Sequence, residues 1–108
     1  MNSSGKNLLI VIARDFTPTP GFRYRSDGPK SGEEFREAFL EPHFSNDTNS
    51  KITIDFDGSI GYATSFLEEA FGGLARMFGK DVCLARLHFV SEEDPLLIDE
   101  VKSYIEDA

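Results

Sequence analysis

At 108 residues the chain has the size of one domain, long enough to bury a core without a metal or disulfide. Its apolar fraction of 40%, with ten Phe and no Trp, is that of a globular protein and not of a disordered one. A formal charge of -8 disfavours nucleic-acid backbones and anionic lipid, and the single cysteine, Cys83, leaves no internal disulfide.

Residues 1–7 are polar and are expected to be disordered, with one α/β domain spanning 8–108. The apolar run from Leu8 to Ala13 has strand length and reads as a strand buried on both faces. It is too short for the core of a signal peptide, and no run approaches the ~20 apolar residues of a membrane span, so a cytoplasmic location is expected.

Residues 14–30 are punctuated by Pro18, Pro20, Gly21, Gly28 and Pro29 and read as loop, with a short strand at Phe22-Arg23-Tyr24-Arg25. Ser31 stands three residues before Glu34, the spacing of a capping box. The helix it opens carries Phe35, Ala38 and Phe39 on one face, and Pro42 is expected to end it after about three turns. The polar stretch 45–50 is the expected mobile loop.

Lys51 begins a strand in which Ile52, Ile54 and Phe56 share one face and Thr53, Asp55 and Asp57 the other. After a small-residue loop, Ser65 and Glu68 repeat the capping-box spacing. The helix to Phe78 places Leu67, Ala70, Phe71, Leu74 and Phe78 on a buried stripe, with Glu69, Gly72 and Arg76 opposite and Gly79 as its end. Val82 to Val90 reads as a strand; Asp94-Pro95 opens a last helix burying Leu97, Val101, Tyr104 and Ile105. Strands alternating with helices imply an α/β fold, a small mixed sheet with parallel pairs and about three helices packed on it.

Asp55 and Asp57, two carboxylates at a strand end, have the spacing to hold Mg²⁺ for a phosphotransferase or phosphatase; their other reading is turn chemistry. Thr64 and Ser65 precede a helix, where a hydroxyl caps free amides and where a phosphate would meet the positive end of the helix dipole. Gly72-Gly73 costs helix stability, roughly 1 kcal/mol for each glycine, and calls for a close approach by a neighbouring element or by a partner. Arg14, Arg23, Arg25 and Lys30 form a basic cluster. Arg23 and Arg25 are the candidates for a small anionic ligand, with ordinary solvation or pairing of the cluster to Asp15 and Asp27 as the alternative. No cofactor or metal is expected, because neither His43 nor His88 has a ligand at metal spacing.

The strings IDFDG and GYATSFLEEAFGGLAR, with GFRYRSDGPKSGEEFRE upstream, resemble the STAS-like family of unknown function over nearly the whole chain. The wider STAS superfamily includes bacterial anti-sigma-factor antagonists. These bind a kinase-type anti-sigma factor that can phosphorylate a Ser or Thr in the loop entering the second helix. The resemblance therefore implies a non-enzymatic, regulatory protein-binding module, with Ser65, or Thr64, as phosphoacceptor. Gly58, Ser59, Tyr62, Glu69, Gly72 and Arg76 would form the contact surface. A histidine-kinase-like ATPase or an anti-sigma-factor-like kinase would be the partner. Where antagonists carry an Asp-Ser-Ser-Gly-type string, this chain has Tyr62-Ala63-Thr64-Ser65-Phe66.

Overall fold

The computed structural model describes residues 7–46 and 50–108, so 1–6 of the expected disordered segment and 47–49 of the expected mobile loop lie outside the described residues. Three strands, β1 (Asn7–Val11), β2 (Lys51–Asp55) and β3 (Leu87–Val90), form a parallel sheet in the order β1-β2-β3. Five helical elements accompany them among the described residues. They are α1 (Ile12–Asp15), α2 (32–46), α3 (64–78), α4 (Lys80–Arg86) and α5 (Leu96–Glu106). The α/β class holds; every strand pairing is parallel, and the helices outnumber the expected three.

The strand order explains which face is covered. A parallel crossover is right-handed in nearly every known case. Here the chain steps twice in the same direction, so both crossovers land on one face. Register aligns Leu8, Ile52 and Leu87 in one row and Ile10, Ile54 and Phe89 in the next, all on that face. Ile52 and Ile54 are completely buried there. On the opposite face Leu9 is 56% exposed, so β1 is not buried on both sides; it is an edge strand with one covered face. Its expected last residues, Ile12 and Ala13, turn into α1 instead. At its other end, Asn7 belongs to β1 and not to the expected disordered segment 1–7.

Aromatic rings fill the space between sheet and helices. Phe16, Phe35 and Phe39 pack at centroid distances of 5.3 and 5.4 Å, and Phe56, Phe71 and Phe89 at 5.7 and 5.8 Å. Stacked, tilted and edge-on pairs of this kind add ~0.5–1.5 kcal/mol each beyond area burial.

Two helices depart from their sequence reading. Pro42 does not end α2. The turn before it widens to a π-turn (Arg36–Leu40), in which the Glu41 amide donates to the Arg36 carbonyl. The wide turn accommodates a residue that has no N–H and would otherwise crowd the carbonyl four residues back. It also shifts the helix phase, which leaves Ala38 exposed while Phe35 is buried and Phe39 half-buried. The second correction concerns Val82 to Val90. Residues 80–86 are the helix α4, with Cys83 and Arg86 on its buried side, and only Leu87–Val90 pairs as strand. Gly79, at φ +96°, ends α3 as expected and starts α4 without an intervening loop.

Arg86, the last residue of α4, is buried. Its Nε donates to the Ser50 carbonyl at 2.8 Å, its NH2 to the Ser50 hydroxyl at 2.7 Å and to the His43 carbonyl at 3.1 Å, and its guanidinium lies 4.2 Å from the Phe44 ring centroid. It ties the end of α2 to the start of β2. Read as a strand residue, it gave no hint of this in the sequence.

Candidate functional site

Parallel strands deliver their loops to one end of the sheet, and ligand sites of open α/β sheets gather there. At that end the chain brings together 17–21, 56–63 and 91–95. Asp55 and Asp57 organise them. One Asp55 oxygen accepts the Asp57 amide at 2.9 Å. Both Asp57 oxygens accept amides of the following segment, from Glu93 at 3.0 Å and Glu92 at 3.1 Å. Glu93 returns the contact by accepting the Gly58 amide at 3.0 Å, and Gly58 sits at φ +94°, a conformation that favours glycine. Asp55 therefore acts as turn chemistry, while Asp57 ties its loop to the segment after β3. Among the described residues no three His, Cys, Asp or Glu side chains gather as metal ligands.

Tyr62 closes the loop from inside. Its hydroxyl donates to the Phe56 carbonyl at 2.8 Å and accepts from Ser59 at 2.9 Å. Burial, reinforced by the fields of Asp55, Asp57 and Glu93, pushes the phenol up to about 12. The loop backbone is also bonded to the 17–21 segment. Ile60 N–H donates to the Pro18 carbonyl at 2.9 Å and Ala63 N–H to the Pro20 carbonyl at 3.1 Å. At the tip of this pinned loop the Ile60 side chain is 85% exposed. On one side of it lies a cleft of about 270 Å³ reaching to α5; on the other is an apolar groove of about 300 Å³ against Pro20 and Ala63.

Thr64 and Ser65 do not cap α3. Ala63 holds the cap position, and no side chain there bonds a helix amide. Thr64 is the first helical residue and exposed, Ser65 the second and half-buried. Thr64 lies near enough to the Tyr104 phenol to act on its titration. That phenol donates to Glu100 at 2.6 Å, and burial, followed by this bond, raises its pKa. Glu68, the expected second half of the capping box, turns outward to Arg23 at 2.7 Å and Arg76 at 2.6 Å.

That contact belongs to a charge lattice across the α2–α3 face. Arg36 Nε meets Glu41 at 2.8 Å, and its NH1 meets the Glu69 carboxylate at 2.5 Å and the Glu69 carbonyl at 2.9 Å. Arg23 also reaches Glu69 at 3.4 Å, and Arg25 reaches Glu37 at 2.7 Å. Arg23 and Arg25 are thus paired within the fold, but with Glu68, Glu69 and Glu37 and not with the expected Asp15 and Asp27, of which Asp15 pairs with Arg14. The lattice corrects the expected open face of α3. Glu69 and Gly72 are buried, while Arg76 is exposed. It also fixes residues 22–33, since the amides of Gly32 and Glu33 donate to the Phe22 and Arg23 carbonyls. The expected strand at 22–25 is a turn instead, closed by Asp27 N–H on the Tyr24 carbonyl at 2.9 Å and by the Asp27 carboxylate on the Tyr24 amide at 3.0 Å.

The glycine pair finds its reason here. A Cβ at Gly73 would lie 2.5 Å from Arg36 NH1, a group held by several bonds. A Cβ at Gly72 would meet the Glu68 carboxylate at 2.7 Å, the far end of a flexible side chain whose bonds to Arg23 and Arg76 lie at the surface. We expect Gly73→Ala to lower stability by ~2 kcal/mol, an overpacking cost. Gly72→Ala should stay within ~0.5 kcal/mol of wild type, because better helix propensity offsets a weakened surface pair. Urea midpoints of the two variants check this; equal losses would contradict it.

Glu68 also sets a pH dependence. The Arg76 hydrogen bond first, and the Arg23 bond after it, hold its carboxyl below its ordinary 4.5. The stability it contributes is complete above that ordinary value and is lost as pH falls through the lower folded value. Glu68→Gln should therefore shrink the fall in urea midpoint between pH 7 and about pH 3. An unchanged acid limb would contradict it.

The model of a STAS-like domain of unknown function (DUF4325) matches residues 31–97, from the Ser31 cap of α2 to Leu97 in α5. The chain belongs to this STAS-like family. No curated protein and no solved structure is similar enough to count as a match. The family match spans α2, β2, α3, α4 and β3, and with them the 56–63 loop and most of the charge lattice of the STAS-like domain. No helix among its described residues is long and apolar enough to cross a membrane.

Proposed function

We propose that this STAS-like domain is a non-enzymatic regulatory module that binds a partner protein through the 58–63 loop and the start of α3. The observation that carries the reading is Ile60, an apolar side chain 85% exposed on a loop whose backbone is hydrogen-bonded to a second segment. It adds nothing to the core, and burying it against a partner would gain ~1.5–3 kcal/mol. Gly58, Ser59 and Tyr62 shape the loop, and Arg76 is the open position of the nearby helix face. The resemblance to the STAS superfamily points to a histidine-kinase-like ATPase or an anti-sigma-factor-like kinase as partner. Ser65 or Thr64 would then be the switch. A phosphate on Thr64 would set up to about two negative charges beside the Tyr104–Glu100 pair and alter the surface next to the loop.

The test is quantitative affinity purification from the cell of origin with wild type and Ile60→Glu, both checked for native circular dichroism. At least one protein retained by wild type should fall by about tenfold with Ile60→Glu, the equivalent of ~1.4 kcal/mol. An identical retained set would overturn the surface. Phosphopeptide mass spectrometry on the native protein tests the switch; unmodified Ser65 and Thr64 under all growth conditions would remove it.

A further inference from the structure

The geometry points to a partner segment that pairs a basic side chain with an apolar one, the basic residue seated in the cleft beside Ile60 and the apolar one in the groove across from it. This inference rests on the protein-binding reading above and adds the chemistry of the partner.

Charge distribution carries the argument. Arg14, Arg23, Arg25, Arg36 and Arg76 are each engaged by a carboxylate of this chain. The cleft gathers four carboxylates that no arginine of this set engages. It is lined by Asp57, Glu93, Asp94 and Glu100, with no Lys or Arg among its lining residues. Asp57 and Glu93 accept backbone amides and Glu100 accepts a phenol, and all of these donors are neutral. The charges are hydrogen-bonded but not neutralised. Phe56, Tyr62 and Leu97 line the same cleft. Carboxylates over an aromatic and aliphatic wall suit a long cationic side chain, whose methylene stem packs on the wall while its head meets the acids. The apolar groove is formed by Pro20, Gly21 and Ala63 and shares Ile60 and Gly61 with the cleft. One short segment therefore reaches both. A bare divalent ion fits less well, because both Asp57 oxygens are already committed to amides.

An acetylated, amidated hexapeptide alternating leucine and arginine is the probe, titrated into the ¹⁵N-labelled full chain and followed by amide shifts. The comparison peptides alternate leucine with glutamate and serine with arginine. Saturable shifts are expected at Gly58, Gly61, Tyr62 and Leu97, weaker with serine–arginine and absent with leucine–glutamate. Glu93→Gln/Glu100→Gln and, separately, Ile60→Ser should each weaken the leucine–arginine peptide by roughly fivefold. Glutamine keeps the acceptor for the Gly58 amide, so the loop stays in place while the charge is removed. The inference is overturned by no saturable shift, by shifts spread over the whole acidic surface, by equal binding of the glutamate peptide, or by affinity indifferent to both variants. If the peptide fails while the retained proteins still depend on Ile60, only the partner chemistry falls. If that dependence is absent too, the protein-binding surface falls with it.

Discussion

Gly32→Ala is expected to cost ~2–3 kcal/mol, at the upper part of the range for overpacking a tight core site. Gly32 is the first residue of α2 and is buried. A Cβ there would fall on the Phe66 carbonyl oxygen, with the Phe66 carbonyl carbon and Cα both at 3.1 Å. Every one of these atoms is backbone, so no rotamer change relieves the contact. Moving α3 away would pull Phe66 and Leu67, both fully buried, out of the core. The gain in helix propensity from alanine is at most ~1 kcal/mol and does not offset this. The urea midpoint should drop with an unchanged slope, the signature of lost stability without a changed unfolding mode. Gly61→Ala is the control, since nothing lies within 4 Å of a Cβ there. It should stay within ~0.5 kcal/mol of wild type. If the two variants behave alike, the close approach of α2 to α3 is not what Gly32 serves.

Ser31 was legible in the sequence and the role of Gly32 was not, for a physical reason. A cap is a local motif, and Ser31 does accept the Glu34 amide at 3.0 Å. A helix crossing is a long-range fact that one glycine in SGEE does not announce. The same division runs through the chain. The alternation in ITIDF was legible because β2 is central and has one buried face, which fixes its register. The stripe of Leu67, Ala70, Phe71 and Leu74 was legible because helical period and burial agree. The π-turns, Arg36–Leu40 in α2 and Glu68–Gly72 in α3, were not, because they shift the helix phase by part of a turn while leaving composition untouched. DVCLARLHFV was misread because its apolar run suits either state; Gly79 and the burial of Cys83 and Arg86 make its first part helix.

The candidate site was legible in outline. The loop after β2 and the start of α3 do form one end of the sheet, with Gly58 and Tyr62 shaping it. Ile60 went unnoticed because a lone aliphatic residue among small ones carries no pattern. Its exposure and the two depressions beside it exist only once 17–21 and α5 are folded against the loop. Glu69 was assigned to the open face by helical period alone. That assignment failed because its partner, Arg36, lies 33 residues away in the chain and covers it.

Arg36→Met should be among the most destabilising changes in this domain, at ~3 kcal/mol. The side chains of Arg36 and Glu69 are each only 11% exposed, and their contact joins the two π-turns, Arg36–Leu40 and Glu68–Gly72. Removing the guanidinium leaves the Glu69 carboxylate buried with Arg23 alone, at 3.4 Å. That residual partner keeps the cost near the lower end of the ~3–5 kcal/mol typical for breaking a buried pair. Taking the charge away from both sides gives the opposite expectation. Arg36→Met/Glu69→Met leaves neither charge of the pair unsatisfied, and it should recover to within ~1 kcal/mol of wild type. Urea midpoints of wild type, the two single variants and the double variant form a complete cycle, with a coupling of at least ~2 kcal/mol expected from these costs. Additive single costs would mean that the pair is incidental and that packing around Gly73 alone holds α2 against α3. Strong coupling would mean that α3 is clamped from its charged face, leaving the 56–63 loop as the end of the helix free to meet a partner.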